Sequence, residues 1–178
     1  MLLRIVKVSI AIILFLTCCI SPATAPAEVT AAGSRKAAPG FSLSDSNGAA
    51  VSLSQSKGKV VLLNFWATWC HGCQEEIPWY MEFAGKYKDR GLVVIGVSMD
   101  DDGWKSVKPF IQAKKLNYPV VIGNQDLMDN YGGFGMPVSV LIDRDGKIAD
   151  THSGVVDKGG WEREIQQLLG ESSKPVSK

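Results

Sequence analysis

The chain has 178 residues, 46% of them hydrophobic, which is room for one domain with a proper core, and no repeat of about 20–50 residues is visible. Nineteen Lys and Arg stand against eighteen Asp and Glu, and the charges do not cluster. Such a balance carries no electrostatic footprint for nucleic acid, and no nucleic-acid partner is expected.

The N-terminus reads as an export signal. Arg4 and Lys7 precede the apolar run "VSIAIILFLTCCI", and Ala25 and Ala27 then occupy the two small-residue positions of a signal-peptidase site before Glu28. The run falls short of the about 20 apolar residues of a spanning helix, with retention as an uncleaved anchor as the alternative. Cys18 and Cys19 offer a lipid-anchor reading, but Thr17 or Cys18 before the acylated cysteine fits less well than Ala27 fits ordinary cleavage. Loss of residues 1–27 would remove Arg4 and Lys7 and leave seventeen basic against eighteen acidic residues, a net charge of −1. Cys70 and Cys73 would then be the only cysteines. A domain of this size needs no disulfide staple, so the pair points to chemistry.

Residues 28–37 are small, polar and unpatterned and read as a flexible linker before a domain at 38–172, with 173–178 as a disordered tail. Alternating strands at Phe41–Leu43 and Val51–Leu53 flank Asn47-Gly48, a hairpin signal. "KVVLLNFWA" has the continuous apolar character of a central strand covered on both faces. From Cys70 to Tyr87, Ile77, Tyr80, Met81, Ala84 and Tyr87 recur at helical spacing, with Pro78 expected to kink the helix. A second buried strand, "GLVVIGVSMD", leads to a helix with Trp104, Val107, Phe110 and Ile111 on one side. "YPVVIG" is strand-like and "QDLMDNYG" helix-like. Two strands around Asp143-Arg144-Asp145-Gly146 and the amphipathic helix "WEREIQQLLG" close the chain. This order predicts an α/β sandwich around a mixed sheet.

Cys70 falls where a buried strand hands over to a helix. The unpaired N–H groups and positive dipole end of that helix favour a thiolate there. A free cysteine titrates at about 8.5, and a Cys-X-X-Cys at a helix start falls well below it, making the first sulfur a nucleophile near neutral pH. Cys73, one turn deeper on the same face, is placed to resolve a mixed disulfide on Cys70.

"NFWATWCHGCQEEIP", "VIGVSMD", "YPVV", "YGGFGMPVSVLIDRDGKI" and the closing helix, in this order, resemble the thioredoxin superfamily, and within it the exported TlpA/ResA-like disulfide reductases, over nearly all of residues 38–170. The resemblance implies a thioredoxin fold with an N-terminal hairpin and a central insertion, tethered or free in the periplasm. It implies protein disulfides as substrates, such as those of apocytochrome c or copper-site assembly proteins, and a membrane thiol electron donor. A monomer is expected. No GxGxxG phosphate loop is present, and no cofactor or metal is expected.

The same resemblance assigns residues. Met136-Pro137 stands where the superfamily keeps a cis-proline loop beside the disulfide; X–Pro is the one bond for which cis is cheap, and the Met136 backbone could then pair with an extended substrate. An ordinary trans-proline at a strand start is the other reading. Glu76 matches an acidic residue that could tune or relay the Cys73 proton, against the alternative of a solvated helix residue like Glu75. Trp69 would shield the pair and offer an apolar contact. His71 departs from the pattern, since these reductases often carry Glu-Pro or Pro-Pro between the cysteines. A protonated His71 would stabilise the Cys70 thiolate and make the couple more oxidising, while Gly72 stands, flexible, where a proline would stiffen the turn. A solvent-facing His71 with little effect is the alternative.

Other functions compete. A dithiol oxidase or isomerase would run the same cysteines in another direction. Cys70, His71, Cys73 and Met136 are soft ligands that could serve an exported copper chaperone, but structural zinc wants a second ligand pair and the copper chaperones of this fold space their cysteines more widely. A peroxidase would need a Pro/Thr constellation before its cysteine, which Ala67-Thr68-Trp69 does not supply.

Overall fold

The computed structural model describes residues 29–171; the expected signal segment and C-terminal tail lie outside the described residues. Two short strands, β1 (Ser42–Ser44) and β2 (Ala50–Ser52), pair antiparallel around the Asn47-Gly48 turn. Then follow β3 (Val60–Trp66), α1 (His71–Tyr87), β4 (Leu92–Ser98), α2 (Trp104–Lys114), β5 (Val120–Ile122), α3 (Gln125–Asn130), β6 (Val138–Ile142), β7 (Ile148–Ser153) and α4 (Lys158–Gly170). The sheet order is β5-β4-β3-β6-β7, with β3, β4 and β5 parallel and β6 and β7 antiparallel additions. This is the mixed α/β arrangement expected from the element order. Among the described residues no helix is long and apolar enough to cross a membrane.

All seven residues of β3 are buried because both faces of the sheet are covered. Successive side chains of a strand point to opposite faces, and each set finds its own layer. Val60, Leu62 and Trp66 pack with Ile77, Tyr80, Phe83 and Tyr87 of α1 and with Trp161, Ile165 and Leu168 of α4. Val61, Leu63 and Phe65 pack with Met128, Tyr131 and Val140 and with hairpin residues such as Leu43 and Val51. α1 continues as a single helix through Pro78, where the sequence suggested a kink. α4 begins three residues earlier than its apolar pattern, because the Asp157 side chain accepts from the Gly160 N–H at 2.6 Å and caps it.

The expected linker at 28–37 requires correction, since residues 29–37 are packed onto the domain. Val29 is buried in the α1/α4 layer, and the Thr30 N–H donates to Ala149 O. Ala37 bridges to Lys147, and the Ile148 N–H donates to Lys36 O. These bonds occupy the open side of β7, which would otherwise present an unpaired sheet edge. The Arg35 guanidinium is buried and reaches Asp143 at 3.0 Å, Glu171 at 2.6 and 2.8 Å, and Thr30 O at 2.7 Å. One arginine thus joins the N-terminal segment, the β6–β7 turn and the end of α4. Backbone pairing and a single buried cation leave no hydrophobic period to read.

Removing one partner of a buried ion pair leaves the other uncompensated. Arg35→Ala is therefore expected to lower the stability of the protein by about 3 kcal/mol. Urea denaturation of variant and parent checks this, and a loss within about 0.5 kcal/mol, the usual range for a surface change, would show that the segment is not held in this way.

Candidate active site

The site is built where β3 stops. Three residues, Ala67 to Trp69, lead from β3 to α1, and their backbone is held by the buried Asp100 just beyond β4. The Asp100 carboxylate accepts from the Thr68 N–H at 3.0 Å, the Thr68 hydroxyl at 2.5 Å and the Ser98 hydroxyl at 2.8 Å. Gln74 Nε2 donates to Thr68 O from the first turn of α1. Cys70 is the N-cap of that helix, and its Sγ accepts from the Cys73 N–H at 3.2 Å. The sulfur expected to act as nucleophile therefore sits where helix N–H groups favour negative charge.

Cys70 and Cys73 are joined in a disulfide with an S–S distance of 1.97 Å and a Cα–Cα distance of 5.3 Å. Cys70 keeps 8% of its surface exposed and Cys73 none, so an incoming group meets Cys70 first. Trp69 is 68% exposed beside it. His71 projects fully into solvent with Nε2 3.6 Å from Glu75 Oε1. Gly72 is more confined than a flexible spacer: a Cβ there would meet Val155 Cγ2 at 2.8 Å and Pro137 Cδ at 3.5 Å. The Met136–Pro137 bond is cis, and the Pro137 carbonyl accepts from the Gly154 N–H at 2.8 Å. Met136 and Trp69 line a cleft of about 480 Å³ together with Met99, Asp101 and Asn124.

Glu76 is fully buried on the face of α1 that carries Cys73. Its Oε1 accepts from the Val156 N–H at 2.8 Å, while Oε2 has no partner. Burial pushes this carboxyl up to about 7, offset only in part by the Val156 N–H and, less, by Tyr80. One turn on, the Tyr80 hydroxyl is 2.6 Å from Ser139 Oγ, which also accepts from Asn64 Nδ2 at 3.2 Å. A polar chain thus runs from beneath the disulfide into the sheet.

The structure brings together all the residues singled out in the sequence: Trp69, Cys70, His71, Cys73 and Glu76 along the β3–α1 junction, with Met136 and Pro137 across from them. Sequence reasoning missed three contributors. Asp100 had a signal, an acidic residue closing a buried strand. Val155 and Val156 had none, because their importance comes from which loops meet in space.

Comparison with known proteins agrees with this geometry. The family model described as AhpC/TSA family matches residues 35–151. The chain belongs to that thioredoxin-like family. It is 36% identical over 140 residues to "Thiol-disulfide oxidoreductase ResA" from Bacillus thuringiensis (strain Al Hakam), covering 78% of this chain and 71% of that one. The crystal structure of a thiol:disulfide interchange protein of the thioredoxin family from Chlorobium tepidum TLS superposes with a TM-score of 0.69 at 29% identity, covering 76% of this chain and 97% of that one. The pneumococcal exposed lipoprotein thioredoxin Etrx1 from Streptococcus pneumoniae strain TIGR4 gives 0.65 at 29% identity, covering 73% and 100%. The fold is thioredoxin-like, and the enzyme class is protein thiol-disulfide oxidoreductase.

A carboxyl whose folded value lies above its unfolded one binds its proton more tightly in the fold, so stability declines as pH rises from about 4.5 through about 7. Glu76→Gln removes that penalty and keeps an acceptor for Val156. The oxidised variant is expected to match the parent near pH 4.5 and to gain on it by up to about 3 kcal/mol at pH 8, at about 1.4 kcal/mol per pH unit between the two values. Parallel stability curves in urea across this range would contradict it.

Proposed function

We propose that this protein is exported and reduces disulfides in extracytoplasmic partner proteins through a Cys70/Cys73 dithiol-disulfide cycle. The observation that carries the reading is the pairing of a slightly exposed cysteine, whose Sγ caps a helix N-terminus, with a fully buried second cysteine. The Cys70 thiolate attacks one sulfur of the partner's disulfide, and the partner's other sulfur leaves as a thiolate that takes up a proton. Glu76 accepts the Cys73 proton, and the freed Cys73 thiolate attacks Cys70 Sγ in the mixed disulfide. The partner leaves as a dithiol and the chain as the Cys70–Cys73 disulfide. A dithiol on a membrane protein then returns the two electrons by the same exchange.

Trp69, His71 and the Met136-Pro137 backbone contact the partner; Trp69, next to Cys70, and Met136 line one cleft. Apocytochrome c and copper-site assembly proteins are the partner classes, following the resemblance to the reductases of cytochrome c maturation. Residues 1–27 direct export and are removed after Ala27 or kept as an anchor. The lipoprotein character in the name of the Streptococcus pneumoniae relative supports an extracytoplasmic place for this fold.

Cys73→Ser is expected to accumulate a mixed disulfide between Cys70 and its partner, recovered by non-reducing mass spectrometry. Failure to recover any Cys70-linked species from cells expressing the variant in the exported form would overturn the cycle.

His71, fully exposed beside Cys70, favours a second direction, dithiol oxidation, because an imidazolium there stabilises the thiolate form. The potential of the couple separates the two. Equilibration with dithiothreitol is expected to give a value near the about −270 mV of thioredoxin, whereas a value near the about −120 mV of a strong periplasmic oxidant would assign the oxidase direction.

A further inference from the structure

Among the described residues the exposed large apolar side chains are three: Phe134 at 87%, Trp69 at 68% and Val155 at 41%. Isolated exposed apolar groups need no explanation, but a cluster of them marks an interaction surface. These three sit on loops that converge on the disulfide. Trp69 precedes Cys70, and Val155 lies against Gly72 between the two cysteines. Phe134 stands three residues before Pro137, and its N–H donates to Ser153 Oγ at 3.1 Å. The next residue along that strand end, Gly154, donates to Pro137 O, so the Phe134 and Val155 loops are stitched together.

The loop around Phe134 leaves the ring no place inside. Gly133 fills the inward position, where a Cβ would meet Met128 Cγ at 2.8 Å and Val138 Cγ1 at 3.0 Å. Gly132 and Gly135 turn the chain on either side at φ of 75° and 73°. The ring is thereby presented to solvent. The three loops, residues 68–73, 131–138 and 152–156, contain no Lys, Arg, Asp or Glu. A rim without Lys or Arg loses little hydration when covered; the charged groups bordering it are Asp101, which lines the cleft with Trp69, and Glu75, 3.6 Å from His71 Nε2.

We propose that Phe134 is a specificity residue: with Trp69 and Val155 it selects an unfolded polypeptide that carries apolar side chains next to its cystine. This rests on the oxidoreductase reading above and names its substrate class. Folded proteins bury the apolar neighbours of their cystines, whereas an unfolded chain exposes them, and three rings and branches spread over three loops suit an extended segment. The apolar part of this recognition is insensitive to ionic strength, whereas repulsion of an acidic peptide by Asp101 and Glu75 is screened by salt.

The test compares three disulfides, with dithiothreitol as electron source: a cystine peptide flanked by Leu, the same peptide flanked by Asp, and hydroxyethyl disulfide. Wild type is expected to favour the Leu peptide about tenfold over the Asp peptide in kcat/KM. Phe134→Ser is expected to raise KM for the Leu peptide roughly tenfold, about 1.4 kcal/mol and within the worth of a partly buried ring. Its kcat and its rate with hydroxyethyl disulfide should stay unchanged, and Phe134→Leu should restore the preference. If wild type and Phe134→Ser treat both peptides alike while reducing hydroxyethyl disulfide normally, the specificity role is wrong. A Phe134-dependent dimer in sedimentation would also overturn it, since the rim would then be covered by a second copy. Failure of wild type on all three disulfides would instead remove the oxidoreductase reading itself.

Discussion

A strand buried on both faces has to become a helix within three residues at the end of β3, with no backbone group left unpaired on the way. Asp100 anchors the middle of that passage, its carboxylate accepting from the Thr68 amide, the Thr68 hydroxyl and the Ser98 hydroxyl, while the Cys70 N–H donates to Ala67 O and Gln74 Nε2 to Thr68 O. The position of Cys70 follows from it. β3 is hydrogen-bonded to β4 on one side and β6 on the other, so its end cannot drift, and the loop pinned to Asp100 passes that rigidity to the helix cap. A nucleophile held by backbone on a central strand keeps its aim better than one on a free loop.

The layer between the sheet and α1 is less well satisfied than the layer opposite. Asn64 Oδ1, Trp66 Nε1, Glu76 Oε2 and Tyr118 Oη are buried there without partners. Each such group costs about 1–3 kcal/mol, and a core built for stability alone would replace them with apolar atoms. Glu76 shows what the arrangement does chemically. Low polarity around a carboxyl holds its proton up to about 7, which places its exchange in the range where a buried thiol must lose one. Tyr80 and Ser139, joined at 2.6 Å, continue that polar environment toward β6 and the proline loop.

How much could be read in the sequence depended on whether a feature was local. β3 and β4 were legible as unbroken apolar runs, α1 as a helical period beginning at a Cys-X-X-Cys, and the hairpin as Asn-Gly between alternating strands. Cys70 and Cys73 were legible because spacing and resemblance both point to them, and Pro137 through the resemblance alone. Residues 29–37 looked like a linker because small polar residues carry no period; their order comes from backbone bonds to β7 and from Arg35 reaching residues more than a hundred positions away. Gly72 looked like lost stiffness, and only the packing of Val155 against it shows that the space is already filled.

Three consecutive residues after β7 each hold a different part of the site. The Gly154 N–H donates to Pro137 O, the Val155 side chain lies on Gly72, and the Val156 N–H donates to Glu76. Most surface loops absorb inserted or deleted residues with little loss. Here a change of one residue in length would shift all three contacts out of phase at once, uncoupling the proline loop, the cysteine turn and the buried carboxyl together. The length of this stretch is therefore as much a part of the site as the spacing of the cysteines themselves.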